Sequence, residues 1–288
     1  MSSSTMSATG SVLLVFFCSV AAPGQERAAE GPRRESLLAE IRQHDAGLAL
    51  WWTGNNGWLI KAGGVLIGTD LVLDDPRRRP TPISAAELAG LLDFSFVTHG
   101  HNDHFNSTTS KVLLEKSRCV FVIPQSCLQR AKGFGIPEER IVVARPRQPL
   151  ELKGIKIEPI RALHGHEKGT VNREANFDDC GYVFHTAGKT ILQPGDSVLL
   201  QDHLLLKHVD VLLFSPTEHN TQIDNSVTLI NELEPDYILP QHRDTYPVTN
   251  ETRFWTHAYT YEVQRRLSKD FQKRYHILPM GGRIDIAP

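Results

Sequence analysis

The stretch Thr98-His99-Gly100-His101-Asn102-Asp103-His104-Phe105-Asn106 packs three imidazoles and a carboxylate into a turn directly after an apolar run. That run, Phe94-Ser95-Phe96-Val97-Thr98, is short, aromatic and β-branched, the make-up of a buried strand that delivers its C-terminal end to a loop. His99 and His101 are two positions apart, so on an extended backbone their side chains leave the same face and reach one ion. Asp103 and His104 lie past a bend and can point to a second. Imidazole and carboxylate together are a ligand set for zinc, manganese or iron.

The 288 residues are 40% hydrophobic and 22% charged, an ordinary globular composition with length for one large domain or two small ones. A formal charge of −2 gives no general attraction for nucleic acid or an anionic membrane, so any anionic substrate has to be held by local charges. Ser11 to Ala22 (SVLLVFFCSVAA) is apolar, too short for a membrane span, and followed by small and then polar residues. Residues 1–22 therefore resemble a secretory signal peptide cut near Ala21 or Ala22, which implies export to the periplasm or beyond and no stable membrane anchor. Cys18 would leave with that segment. Cys119, Cys127 and Cys180 are scattered, lack zinc-finger spacing and read as small buried hydrophobes.

After a polar segment and short helix over 23–46, apolar runs at Ala49–Trp52, Trp58–Ala62 and Val65–Thr69, separated by Asn and Gly pairs, predict a meander of hairpins. Ser84-Ala85-Ala86-Glu87 is a capping box that opens a helix through Leu92. Helices over Ser107–Ser117 and Ser126–Lys132 alternate with strands Cys119–Ile123 and Ile141–Ala144, an α/β pattern. Leu150–Leu163 and Gly181–Leu192 revert to hairpins. Strands Val209–Phe214 and Tyr237–Pro240 flank a helix capped by Asp224 or Ser226, and Glu251–Phe271 reads as one long final helix.

Two metals need more ligands than one loop supplies, and three further strands end on suitable residues. His164 follows Ile155–Leu163, Asp196 follows Thr190–Leu192 in a Gly-Asp turn, and His242 follows Tyr237–Pro240. This H-x-H-x-D-H motif, then a lone His, a Gly-Asp and a His after a strand, resembles the metallo-β-lactamase superfamily. Trp52-Thr53-Gly54-Asn55-Asn56-Gly57-Trp58 is similar to its ascorbate-6-phosphate lactonase-like branch. The resemblance spans roughly Leu48 to the C-terminus and implies a single domain over 47–288, an αββα sandwich of two mixed sheets with helices outside and metals at one edge. It further implies that His99, His101 and His164 hold one divalent ion and Asp103, His104 and His242 another, with Asp196 bridging. Zinc is the first expectation for both, with manganese and iron as alternatives. A bridging hydroxide, oriented by Asp103 and Asp196, would then cleave an ester, lactone, amide or phosphoester bond of a small molecule.

Other contacts are expected around this set. Asp70, after the third strand, is placed to orient a ligand histidine or to serve as a turn carboxylate. Trp52, Asn55 and Asn56 belong to the first hairpin, which overhangs the site in the family, with core packing the alternative for the tryptophans. His219, in Glu218-His219-Asn220 after Val209–Phe214, is a candidate proton donor to the leaving group. His166, Lys168, Arg173, Arg243 and Tyr246 are candidate substrate contacts; His44, His185, His203, His208, His257 and His276 show no pattern and read as structural or surface residues. The rival functions are an iron-dependent oxidoreductase of sulfur-dioxygenase type and a β-lactam hydrolase. The partner expected is a small-molecule substrate, not nucleic acid, and self-association is left open.

Overall fold

The computed structural model describes residues 34–166, 175–247, 249–252 and 259–288. The signal-peptide-like segment, Lys168, Arg173 and His257 lie outside the described residues. After helix α1 (Arg34–Gln43), strands β1 (Leu48–Gly54), β2 (Gly57–Ala62) and β3 (Val65–Thr69) form the expected meander, with two-residue turns at Asn55-Asn56 and Gly63-Gly64. Helix α2 (Ala85–Leu88) leads to β4 (Phe94–Phe96), α3 (Ser107–Lys116) to β5 (Val120–Pro124) and α4 (Leu128–Phe134) to β6 (Ile141–Ala144), and these strands extend the sheet in parallel.

The second sheet begins with β7 (Leu150–Leu152), β8 (Ile155–Arg161), β9 (Cys180–Thr186) and β10 (Lys189–Gln193), each antiparallel to the one before. It continues through α5 (Gln201–Leu204), β11 (Val211–Phe214), α6 (Ile223–Leu233) and β12 (Tyr237–Pro240), the last two strands running parallel to β10. Helices α7 (Tyr259–Arg266) and α8 (Lys269–Arg274) follow. Strand β13 (Arg283–Ile286) returns to pair with β1 in the first sheet. The sheets have seven and six strands, in the orders β13-β1-β2-β3-β4-β5-β6 and β12-β11-β10-β9-β8-β7.

Period-two alternation sends successive side chains of one strand to different cores, so the strands are apolar on both faces. Trp52, Leu50, Ile60, Phe94 and Phe96 from the first sheet meet Tyr182, Phe184, Ile191, Leu213 and Leu239 from the second. The opposite face of the first sheet, including Trp51, Leu59 and Phe121, packs on Leu37, Ile41, Leu88 and Leu113 of the helices. Val183, Leu212 and Phe214 do the same against Leu229, Leu233 and Val263. Three cores separate four layers, which is the αββα sandwich.

Between the sheets the Phe96 ring meets Tyr182 and Phe184 edge-on at 5.1 and 5.0 Å. The Tyr182 hydroxyl donates to Val97 O at 2.6 Å, and Cys180 N–H donates to Thr98 O at 3.0 Å. Both bonds tie the second sheet to the strand end that carries the histidine turn.

Several boundaries differ from expectation. The capping box forms, Glu87 N–H donating to Ser84 Oγ and Ser84 N–H to Glu87 Oε2, but its helix stops at Leu88. Helix α6 starts at Ile223 after Gln222 at φ +65°; Asp224 and Ser226 both lie inside it, the Ser226 hydroxyl turned back on the Gln222 carbonyl, and so neither is the cap. The single final helix is two described pieces, because Ser268 caps a new helix by accepting Phe271 N–H at 3.3 Å. Strand β13 had no separate signal. The three described cysteines are free and buried.

Candidate metal centre

The loops after β4, β8, β10, β11 and β12 open at one edge of the sandwich. In the first, Phe105 is buried and its ring packs on Phe134 at 4.9 Å, while Asn106 caps α3 by accepting Thr109 N–H. His104 and Phe105 N–H both donate to His101 O, which folds the motif into a turn. His164 follows β8, Asp196 follows β10 through Gly195, and His242 follows β12.

Two groups that could hold a metal ion result, one of His99, His101 and His164, the other of Asp103, His104, Asp196 and His242, with the donor atoms inside each group within 4.8 Å of one another. Asp196 Oδ2 lies 3.0 Å from His242 Nε2, 3.2 Å from His104 Nε2 and 3.8 Å from His164 Nε2, so it stands between the groups. Asp103 Oδ2 is 3.6 Å from both His104 and His242 Nε2.

The ring nitrogens show what these side chains fit. Nδ1 of His99 is held by Thr98 Oγ1 at 3.0 Å, that of His104 by Asp70 Oδ2 at 2.9 Å and that of His164 by Gly165 O at 2.7 Å. Nε2 of His99 is buried with no hydrogen-bond partner, and that of His104 faces only the Asp196 and Asp103 carboxylates. A buried ring nitrogen left bare while its twin is fixed from behind is the arrangement of a metal ligand. Burial, with neighbouring imidazoles, pushes the His99 and His101 pKa values down and keeps both rings neutral. In the second group burial opposes charge, yet Asp196 and Asp103 raise His104 well above its ordinary value and His242 to about 9. The same histidines hold both carboxylates well below their usual range against the cost of burial. The donors fit divalent cations: neutral imidazoles on one side, two ionised carboxylates on the other.

A model of the beta-lactamase superfamily domain matches residues 49–242. The chain belongs to the beta-lactamase superfamily. It is similar to the probable L-ascorbate-6-phosphate lactonase UlaG of Escherichia coli, at 25% identity over 73% of this chain and 74% of that protein. Its fold is similar to that of Igni18, a metallo hydrolase from Ignicoccus hospitalis, with a TM-score of 0.62 at 15% identity, covering 82% of this chain and 97% of the other. It is similar also to CmlA, a diiron beta-hydroxylase from Streptomyces venezuelae, with a TM-score of 0.61 at 13% identity over 83% and 54% of the two chains. The protein is a metal-binding hydrolase of the metallo-β-lactamase fold.

Around the ligands of this superfamily member, Asp70 is fully buried and accepts from Thr98 N–H at 2.8 Å and Thr98 Oγ1 at 2.7 Å besides touching His104. Asn56 Nδ2 donates to Asp196 Oδ1 at 2.7 Å and Asn55 Nδ2 to Asp103 O at 3.0 Å, so the first hairpin turn braces one side chain of the second group and the backbone of another. The His219 ring lies 6.1 Å from that of His164 and 5.4 Å from that of His242; burial lowers its pKa.

Other candidates are placed elsewhere. Trp52 is fully buried in β1 and reaches the turn only through its indole N–H to Asn55 O. Arg243 is no anion contact: it is buried 4.0 Å over the Trp52 ring, with Asp244 and the Leu278 carbonyl as partners. His166 is exposed, and Tyr246 sits at the surface with the Arg78 guanidinium 5.5 Å from its ring centroid.

Residues without a sequence signal also contribute. Gln193 and Gln241 exchange amide hydrogen bonds of 3.0 and 2.6 Å, and Trp58 Nε1–H donates to Gln241 Oε1, forming a buried polar network that reaches Asp196 through Ser215 Oγ. Their adjacency to the ligands, Gln241 beside His242 above all, was the one available cue.

Proposed function

We propose that this hydrolase carries two divalent cations, one held by His99, His101 and His164 and one by Asp103, His104 and His242 with Asp196 between them, and that it hydrolyses an ester, lactone or phosphoester bond of a small molecule. The observation that carries the reading is Asp196 Oδ2 standing within 3.8 Å of histidines from both groups. Such cations supply the charge that brings the pKa of water to about 7 and stabilises the oxygen on which negative charge develops.

The chain's own residues divide the remaining work. The Asp103 side chain is 31% exposed and that of Asp196 only 2%, so Asp103 is the carboxylate open to an incoming water and the one suited to orient it and accept its proton. Asn56, buried on Asp196 Oδ1, fixes that carboxylate and leaves Oδ2 to the centre. His219, flanking both ligand groups, offers a ring N–H to the leaving oxygen. Thr98, Asp70 and the Gly165 carbonyl hold three ligand rings in orientation before any substrate arrives.

The test is metal content of the purified protein followed by a screen of lactones, phosphodiesters and β-lactams, with lactones first because of the activity named for the relative. Chelation and His101→Ala or Asp103→Ala should each abolish turnover, by roughly 100-fold or more. Full activity of a metal-free protein sinks the proposal, as does oxygen consumption with bound iron and no hydrolysis.

A further inference from the structure

Beside the three-histidine group opens a cavity of about 230 Å³ lined by His99, His101 and His164 together with Ser126, Asn176 and Asp179. Asp179, just before β9, is 6% exposed. Its Oδ1 accepts from Ser126 Oγ at 2.6 Å, and its other side-chain hydrogen-bonding partner is Asn176. Both are neutral. Among the described residues no lysine or arginine pairs with it, and burial raises its pKa. Elsewhere in this chain the carboxylates nearly as buried as Asp179 have cations: Asp75 has Arg77 and Arg78, and Asp202 has Arg147 and Arg161. Of the described side chains only the His164 imidazole adds favourable charge, so the carboxylate keeps hydrogen-bonding capacity for a charged N–H, and it borders a space large enough for part of a small molecule.

We propose that Asp179 is a substrate-recognition residue that receives a protonated amine, so that the substrate is an ester or lactone bearing an ammonium group. The proposal rests on the hydrolase reading above. Ser126 and Asn176 hold the carboxylate in place, and a charged N–H completes its set of hydrogen bonds when substrate enters. The relative's named substrate carries a phosphate, and a phosphate placed against Asp179 would meet like charge. The binding contribution is that of one hydrogen bond between charged groups, on the order of 10- to 100-fold.

The experiment uses the metal-loaded full chain and matched pairs at pH 7: ω-amino ethyl esters of three to six carbons against alkyl esters with a methyl in place of the amine. At the best chain length kcat/KM should favour the amino ester at least tenfold. Asp179→Asn, isosteric and still able to accept from Ser126, should erase that preference through the KM of the amino esters, so that the two series converge. Ser126→Ala, which keeps the charge and frees its orientation, should weaken the preference by less. Metal content and thermal melting of each variant guard against simple misfolding. Equal loss on both ester series with Asp179→Asn overturns the proposal, since the carboxylate then only balances the charge of the centre; so does absence of preference at every length. If no ester is cleaved, the hydrolase reading fails separately. Calorimetric titration with the corresponding ω-amino amides then decides the amine site alone: binding lost in Asp179→Asn supports it, and no binding overturns it.

Discussion

At Asp70 one side chain does three jobs. It accepts the Thr98 backbone N–H, accepts the Thr98 hydroxyl, and meets Nδ1 of His104 at 2.9 Å. Its φ is +43°, in the left-handed region that Asp and Asn tolerate better than most residues. Asp70→Asn leaves backbone and volume nearly unchanged but replaces one accepting oxygen with an amide that can only donate, so His104 loses both the charge and the acceptor that orient it. Metal affinity or turnover should fall about 10- to 100-fold, as outer-shell substitutions at metal sites do, and the thermal midpoint of the metal-free protein should fall as well, since a buried hydrogen bond is lost. A variant that keeps full affinity by competition with a chromophoric chelator shows that Asp70 is a turn carboxylate and nothing more. His242 uses the same backbone region, with φ at +56° and its N–H donated to Asn55 O at 2.9 Å, so the first hairpin turn sets the course of the loop that carries this ligand.

At the scale of elements, the loops owe their paths to close approaches between strand ends. A Cβ on Gly165 would lie 2.5 Å from the His219 carbonyl oxygen and 2.8 Å from Val198, so the loop after β8 lies directly on the loop after β11. Gly165→Ala forces these two loops apart, displacing His164 and His219 together. The cost is that of overpacking, about 1–3 kcal/mol in urea unfolding, with a drop in kcat that a mere stability effect at 25 °C does not produce; unchanged kcat refutes the coupling of the two loops. These approaches also explain what could be read in advance. His99 to His104 are contiguous, and His164, Asp196 and His242 each follow an apolar strand, so periodicity alone placed them at strand ends that the parallel and alternating pairings bring to one edge. Asp179 and Ser126 are joined only by the packing of two sheets, across 53 positions, and local pattern carries no trace of that. Arg243 misled because a cation beside a ligand histidine looks like an anion contact; the Trp52 ring that claims it lies far away in sequence. The division of the final helix turned on one serine that serves as a cap.

For the molecule as a whole, the balance between folded and unfolded states is tied to pH through His203. Its ring is buried in α5, Nδ1 accepting Leu200 N–H at 3.1 Å and Nε2 without a partner, and burial lowers its pKa to about 4. In the unfolded chain the same ring takes a proton near 6.5. A group whose folded pKa is depressed favours the folded state above the unfolded pKa, and that contribution disappears as pH falls toward the folded value. Between pH 6.5 and 4 the unfolded chain binds the proton first, so stability declines by about 3 kcal/mol from this one group. His203→Asn keeps an acceptor for Leu200 and cannot titrate. Urea midpoints of wild type and variant, followed from pH 7 to pH 4.5, should therefore converge or cross as the solution is acidified, because the wild type loses a term that the variant never had. Losses at the metal ligands are common to both proteins and cancel in the difference. Parallel curves over that interval mean that His203 opens to water before the rest of the fold, and place the soft point of the molecule at α5 instead of in its cores.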